Sequence, residues 1–144
     1  MSLLKVIIPG EPVAKGRPRV VSAGGFARAY TPQKTINWEG LAGWYFQAQW
    51  KGAAPYTEPV VLHVSAVKSR PKRLLRKKDP DGLILRPAKP DLDNVIKIVG
   101  DALERAAVLK NDIQIVEIHA YSYYAERDGA PRVEVALTTP GGLP

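Results

Sequence analysis

The sequence predicts one α+β domain, a mixed or antiparallel sheet packed against two principal helices. Three observations carry this reading. At 144 residues with 45% hydrophobic content the chain can bury a real core, and no linker or internal repeat divides it. Short runs of alternating apolar and polar residues recur near both ends and in the middle, the mark of half-buried strands. Two longer segments, near 31–50 and 93–106, carry the punctuation and spacing of helices instead.

Leu4, Val6 and Ile8 alternate with Lys5 and Ile7 as a first strand, closed by Pro9-Gly10. Residues 13–21 read as extended but irregular, with Pro18 favouring a sheet edge. Gly24-Gly25 signals a hairpin turn into a short strand at 26–30. Thr31 offers an N-cap and Pro32 the first position of a helix that runs to about Trp50, with Gly52 as its stop. Ile36, Leu41, Trp44, Tyr45 and Ala48 are its expected buried stripe. Trp38, Trp44 and Trp50, six apart, cannot share one face, and core or dimer packing is expected of them ahead of base stacking.

Residues 58–67 form the cleanest strand, with Val60, Leu62, Val64 and Ala66 on one side and Val61, His63, Ser65 and Val67 on the other. Pro71, Pro80-Asp81-Gly82 and Pro87 make 68–89 a long loop with at most one helical turn near Leu74-Leu75. After the second helix, Lys110-Asn111-Asp112 turns into a strand at 113–123. Residues 126–131 read as a polar hairpin turn, and Val133, Val135 and Leu137 alternate in a last strand. The whole of 1–144 reads as a single domain, with the Gly/Pro-rich 138–144 as a disordered tail.

Cysteine is absent, which excludes disulfides and thiolate metal sites, and only His63 and His119 offer imidazole. A bound metal is therefore expected to be oxygen-ligated, which suits Mg²⁺ or Mn²⁺ and not zinc. No apolar run approaches the ~20 residues that span a bilayer. Lys5 and Pro9-Gly10 break the layout of a signal peptide, so a cytoplasmic protein without a membrane partner is expected.

The net charge of +7 is concentrated. Residues 68–89 hold nine basic residues (Lys68, Arg70, Lys72, Arg73, Arg76, Lys77, Lys78, Arg86 and Lys89) against Asp79 and Asp81, and alone carry +7. A polyanion is the expected partner of such a patch. Lys15, Arg17, Arg19 and Arg28 form a second, smaller basic group, suited to phosphate contacts or to guarding a sheet edge.

The chemistry concentrates in Lys89-Pro90-Asp91-Leu92-Asp93-Asn94-Val95-Ile96-Lys97, completed by Asp112. Pro90 favours an extended approach, and Val95, Ile96, Val99, Ala102, Leu103 and Ala106 recur at helical spacing behind it. Asp93 is then the natural N-cap, and Asp91, two residues earlier, projects to the same side. Two carboxylates so close repel unless a proton or cation lies between them. Asp93, Lys97 and Asp101 fall one turn apart on the polar ridge of the helix, which by itself describes an ion-pair ladder.

Together with Asp101-Ala102-Leu103 and Asn111-Asp112-Ile113-Gln114, this run resembles the RusA family of Holliday junction resolvases. Gly10-Glu11-Pro12-Val13 with Lys15, Arg17 and Arg19, then Tyr30-Thr31-Pro32, extend the resemblance over roughly residues 8–135. It implies a small homodimeric endodeoxyribonuclease, often phage-encoded, that needs Mg²⁺ or Mn²⁺ and nicks four-way DNA junctions symmetrically in recombination and repair. By the same resemblance Asp91, Asp93 and Asp112 are the metal-binding and catalytic carboxylates. Lys97 is the catalytic lysine, placed to orient the attacking water or to neutralise the scissile phosphate. Asn111 departs from the family, which commonly has an acidic residue there. Lys15, Arg17, Arg19, Lys68, Arg70, Lys72, Arg73, Arg76, Lys77, Lys78 and Lys89 are the expected DNA contacts. The alternatives are a DNA-binding protein whose carboxylates only cap a helix, or a metal nuclease for other branched nucleic acids.

Overall fold

The computed structural model describes residues 1–16 and 19–141, without the side chains at 19, 21, 23 and 26–30. Five strands form one sheet in the order β1(Ser2–Pro9), β7(Arg132–Thr138), β4(Val60–Lys68), β6(Ile115–Tyr124), β5(Ile84–Leu85). β4 pairs with β6 in parallel, and every other pairing in the sheet is antiparallel. The sheet is therefore mixed, and the parallel pair is joined through helix α2(Leu92–Arg105). A separate hairpin of β2(Arg19–Ala23) and β3(Phe26–Tyr30) closes over Gly24-Gly25, both at positive φ.

β4 earns its central place by composition. Val60, Leu62, Val64 and Ala66 are fully buried against the helices, and Val61 and Val67 are buried too. His63 and Ser65 stay half-buried on the opposite face. Ile98, Val99, Ala102 and Leu103 of α2 join Phe46 and Trp38 of α1(Gln33–Trp50) over that inner face. α1 and α2 thus share one side of the sheet.

Several expectations need correction. The stripe of α1 is rotated: Thr35, Trp38, Glu39, Ala42 and Phe46 are buried, whereas Ile36, Leu41 and Trp44 are exposed. Apolar residues lie all round this helix, so their spacing could not choose a face. Partners chose it: Gly16 N donates to Thr35 Oγ1 at 3.0 Å, and Glu39 is drawn inward by two cations. The helix starts at Gln33 with Pro32 as its cap position, one residue later than read. Residues 126–131 do not close a hairpin, because β4 lies between β6 and β7. Thr138 still pairs in the sheet and Thr139 N donates to the Met1 carbonyl, so these two residues are ordered against the expectation, and 142–144 lie outside the described residues.

The basic segment is strapped down by arginine. Arg70 donates to the carbonyls of Leu74, Pro80, Gly82 and Ala125 at 2.6–3.2 Å. Arg127 reaches in from beyond β6 to the carbonyls of Leu75, Arg76 and Asp79 and to the Asp81 carboxylate. The helical turn falls at Lys72–Leu74, close to where it was read.

Candidate active site

α2 begins at Leu92, with Asp91 in the cap position. The Asp91 carbonyl accepts from Asn94 N and Val95 N at 3.1 Å, but its carboxylate caps nothing. Asp93 lies in the first turn and accepts only from Asn94 N, at 3.0 Å. Both carboxylates are exposed, and neither forms an ion pair among the described residues. The Asp91 side chain thus does no capping, and Asp93 takes only the amide next to it among the described residues. Lys97, one turn on, is likewise exposed and unpaired among the described residues, so the ladder Asp93–Lys97–Asp101 does not form.

Asp91 lies between two open clefts. One, of about 500 Å³, brings Lys34, Lys68 and Lys89 from three separate parts of the chain around it, with Glu11 at the rim. The other, of about 430 Å³, is floored by Arg86 and Ser122. A third cleft of about 460 Å³ opens two turns along α2, lined by Lys15, Lys97, Asp101 and Asp112 among others. Asp112 opens a 3-10 turn (Asp112–Gln114) whose cap is Asn111. The Asn111 side chain accepts from Ile113 N at 3.0 Å, and Gln114 Oε1 accepts from Asn111 N at 2.9 Å. Asn111 thus holds the turn that presents Asp112, which is what the residue does in place of a second acid. Gly100 faces this turn, where an added Cβ would make only ordinary contacts, 3.8 Å from Ile115 and 3.9 Å from Asp112.

The acid grouping differs from the sequence expectation. Among the described residues, Asp101, Glu104 and Asp112 have ligand oxygens within 4.8 Å of one another. Asp91 and Asp93 are not in that group; Asp93 precedes Gly100 by seven positions, about 10 Å along the helix axis. Asp101 is already engaged, 2.8 Å from Lys15 Nζ. Lys15 also donates to buried Glu39 at 2.8 Å, and Arg105 Nε lies 3.1 Å from the other Glu39 oxygen. Burial works against the Lys15 ammonium, but its bonds to Asp101 and Glu39 outweigh that and hold its pKa above the ordinary value. Glu39, Asp101 and Glu104 were not read as site residues. Asp101 was at least visible as the third member of the polar ridge, whereas nothing in the spacing set Glu39 apart.

The expected DNA contacts divide. Lys68, Lys72, Lys77, Lys78 and Lys89 form no ion pair among the described residues. Arg73 lies over the Tyr124 ring at 6.0 Å, and Arg76 pairs with Asp79. Arg70 and Lys15 hold other parts of the protein. Arg17 lies outside the described residues, as does the Arg19 side chain. Arg86 is buried to 4% exposure, and desolvation lowers its pKa, offset in part by Tyr124 and Glu11. His63 and His119 stack on each other at 5.2 Å, on the sheet face away from the helices.

The sequence matches the family described as Endodeoxyribonuclease RusA over residues 9–138. The chain belongs to the RusA family. It is 32% identical over 142 residues to the uncharacterized protein YqaN of Bacillus subtilis (strain 168), covering 95% of this chain and 96% of that protein. It is 29% identical over 119 residues to the crossover junction endodeoxyribonuclease RusA of Aquifex aeolicus (strain VF5), covering 83% and 79%. Membership makes the protein an endodeoxyribonuclease, and the α+β sheet with two helices is the scaffold on which this RusA site is built. Among the described residues no helix is long and apolar enough to cross a membrane.

Proposed function

We propose that this RusA-family protein is a Mg²⁺-dependent, structure-selective endodeoxyribonuclease that resolves four-way DNA junctions by paired symmetrical nicks, working as a homodimer inside the cell. The observation that carries the reading is the state of Asp91 and Asp93. Both carboxylates at the start of one helix are exposed and form no ion pair among the described residues, and Asp91 borders a cleft lined by Lys34, Lys68 and Lys89. The Aquifex relative, named for crossover junctions, supports the substrate class.

Asp91 and Asp93 would hold the metal, with Asp112 completing the set by a shift from its place beside Asp101 and Glu104 towards the start of α2. Their donors are all oxygen, in a chain without cysteine, which fits Mg²⁺ or Mn²⁺. Asp101 is left out of the set because Lys15 already neutralises it at 2.8 Å. A bound divalent ion lowers the pKa of water and offsets negative charge on a phosphodiester. Lys97, exposed on the same ridge of α2, orients the attacking water or meets the charge developing on the phosphate. Lys68 and Lys89, with Lys72, Lys77 and Lys78 beyond them, engage backbone phosphates and give salt-sensitive affinity without base reading. Two-fold symmetry would present two equivalent sites to opposed strands of a junction.

Asp91→Asn tests this reading. Cleavage of a junction should fall by at least about a hundredfold while junction binding in Ca²⁺ is kept or tightened. A variant that binds and cuts like the wild type would remove the metal-ligand assignment. Equal cutting of linear duplex and junction by the wild type would remove the structure selectivity.

A further inference from the structure

We propose that Arg86 is a positioning residue for cleavage: its buried guanidinium clasps the Ala88 and Lys89 carbonyls and so fixes where Asp91 stands. This rests on the function proposed above.

Arg86 looks from the sequence like one more charge in a basic run. Its placement is different from that of its neighbours. Its backbone N donates to Ser122 O at 3.0 Å, so the residue extends the β5–β6 pairing by one position. From there the side chain turns back along its own chain. Nη1 donates to Ala88 O at 2.6 Å and to Lys89 O at 2.7 Å, while Nε donates to Tyr123 O at 3.3 Å. One planar group therefore ties strand β6 to the two residues that lead through Pro90 into Asp91.

The cost of this arrangement argues that it serves the site. The guanidinium is nearly sealed from solvent, and neither Nη2 nor the Oγ of Ser122, which lines the same cleft, has a hydrogen-bond partner among the described residues. A buried cation with an unanswered donor is an expensive way to fill space beneath a helix. An aliphatic side chain would pack there without that penalty, but it could not hold two successive carbonyls. The far side of the first turn of α2 is pinned separately, by Lys15 N donating to Asn94 O at 2.9 Å. Asp91 is thus set between two anchors, and Arg86 is the one that fixes the chain entering it. Carboxylates that bind metal through exposed, uncapped geometry need such outer support to hold their place.

Arg86→Lys and Arg86→Gln test the assignment, read in three ways. Lysine retains the charge but cannot make the same planar fork. Amide hydrogen exchange over 89–95 should quicken at least about tenfold while exchange in the β1–β7 pairing is unchanged. Mn²⁺ titrated into the protein without DNA should bind on the order of tenfold more weakly in both variants. The single-turnover rate at saturating junction should fall about 10–100-fold, with junction affinity in Ca²⁺ within about twofold of the wild type.

Wild-type Mn²⁺ affinity and wild-type rate in Arg86→Lys would overturn the proposal. So would a loss of junction affinity that accounts for the whole loss of rate, which would make Arg86 a DNA contact. If both variants unfold, Arg86→Met, which fills the same space without a donor, takes their place. It should show the weaker Mn²⁺ binding, and an unchanged affinity would again overturn the proposal. Should the wild type cut no junction at all, the exchange and Mn²⁺ measurements still decide the role of Arg86 without it.

Discussion

Glu39 offers the sharpest test of how the two helices and the N-terminal segment are held together. Its side chain is only 3% exposed, yet it is a carboxylate answered by Lys15 at 2.8 Å and Arg105 at 3.1 Å. Consider Lys15→Met, which keeps much of the apolar stem and removes the ammonium. Breaking a buried pair by removing one partner costs about 3–5 kcal/mol when the remaining charge is left alone. Glu39 is not left alone, because Arg105 remains, but that guanidinium is 63% exposed and not aligned as a hydrogen bond. Lys15 itself is 24% exposed, which reduces the loss further, so a cost of about 2–3 kcal/mol is expected. For a chain of this size that is a fall in Tm of roughly 6–10 °C.

Glu39→Gln should cost less, about 1–2 kcal/mol, because Lys15 keeps Asp101. The double variant should be more stable than the sum of the two losses implies, with a coupling of about 1–2 kcal/mol. Chemical denaturation in EDTA, with all four proteins at one pH, measures the cycle. A Lys15→Met loss under about 0.5 kcal/mol, or strict additivity, would refute the claim that this network carries stability. The pH profile adds a signed check. Since the folded ammonium holds its proton more tightly than the unfolded one, its contribution is whole below about pH 10.4. It is then lost as pH rises through the folded value, and Lys15→Met should lack that alkaline decline.

Asp112→Asn should abolish metal-dependent nicking, whereas Asp101→Asn should retain it within about tenfold and lower Tm, because the structure gives Asp101 to Lys15; cleavage and melting of the two variants side by side decide the ligand set. Asn111→Ala should destabilise by about 1 kcal/mol through loss of the cap on the 3-10 turn, and Asn111→Asp, which can still accept from Ile113 N, should recover most of it in a melt. At the other end of the sheet, the hydrogen bonds from Arg132 hold the Glu126 carboxyl below its ordinary pKa. That contribution is present above about pH 4.3 and lost as pH falls through the lower folded value, so Glu126→Gln should flatten the acid limb of a Tm–pH curve.

What the sequence made legible was whatever local periodicity or punctuation could specify. Alternation located β4 because a strand buried on its inner face must place Val60, Leu62, Val64 and Ala66 together. The Pro90-Asp91 entry located α2 to within two residues, and the family resemblance marked Asp91, Asp93, Lys97 and Asp112. What stayed hidden depends on partners distant in the chain. Nothing near Glu39 says that Lys15 and Arg105 will surround it, so the face of α1 was misjudged. A run of like charges cannot announce that Arg70 and Arg86 will fold back onto carbonyls while the lysines beside them form no ion pair among the described residues. The interruption of β6 and β7 by β4 is likewise a choice of pairing, invisible in either strand alone.

The central claim is that the exposed carboxylates Asp91 and Asp93 at the start of α2 serve a metal-dependent cleavage of DNA at junctions. The most direct measurement is cleavage of a synthetic immobile four-way junction with Mg²⁺, with Mn²⁺ and with EDTA, beside a linear duplex of the same sequence. The account predicts paired, symmetrical nicks in the junction that require the metal and are absent from the duplex. Tight binding of the junction with no nick in either metal would contradict it.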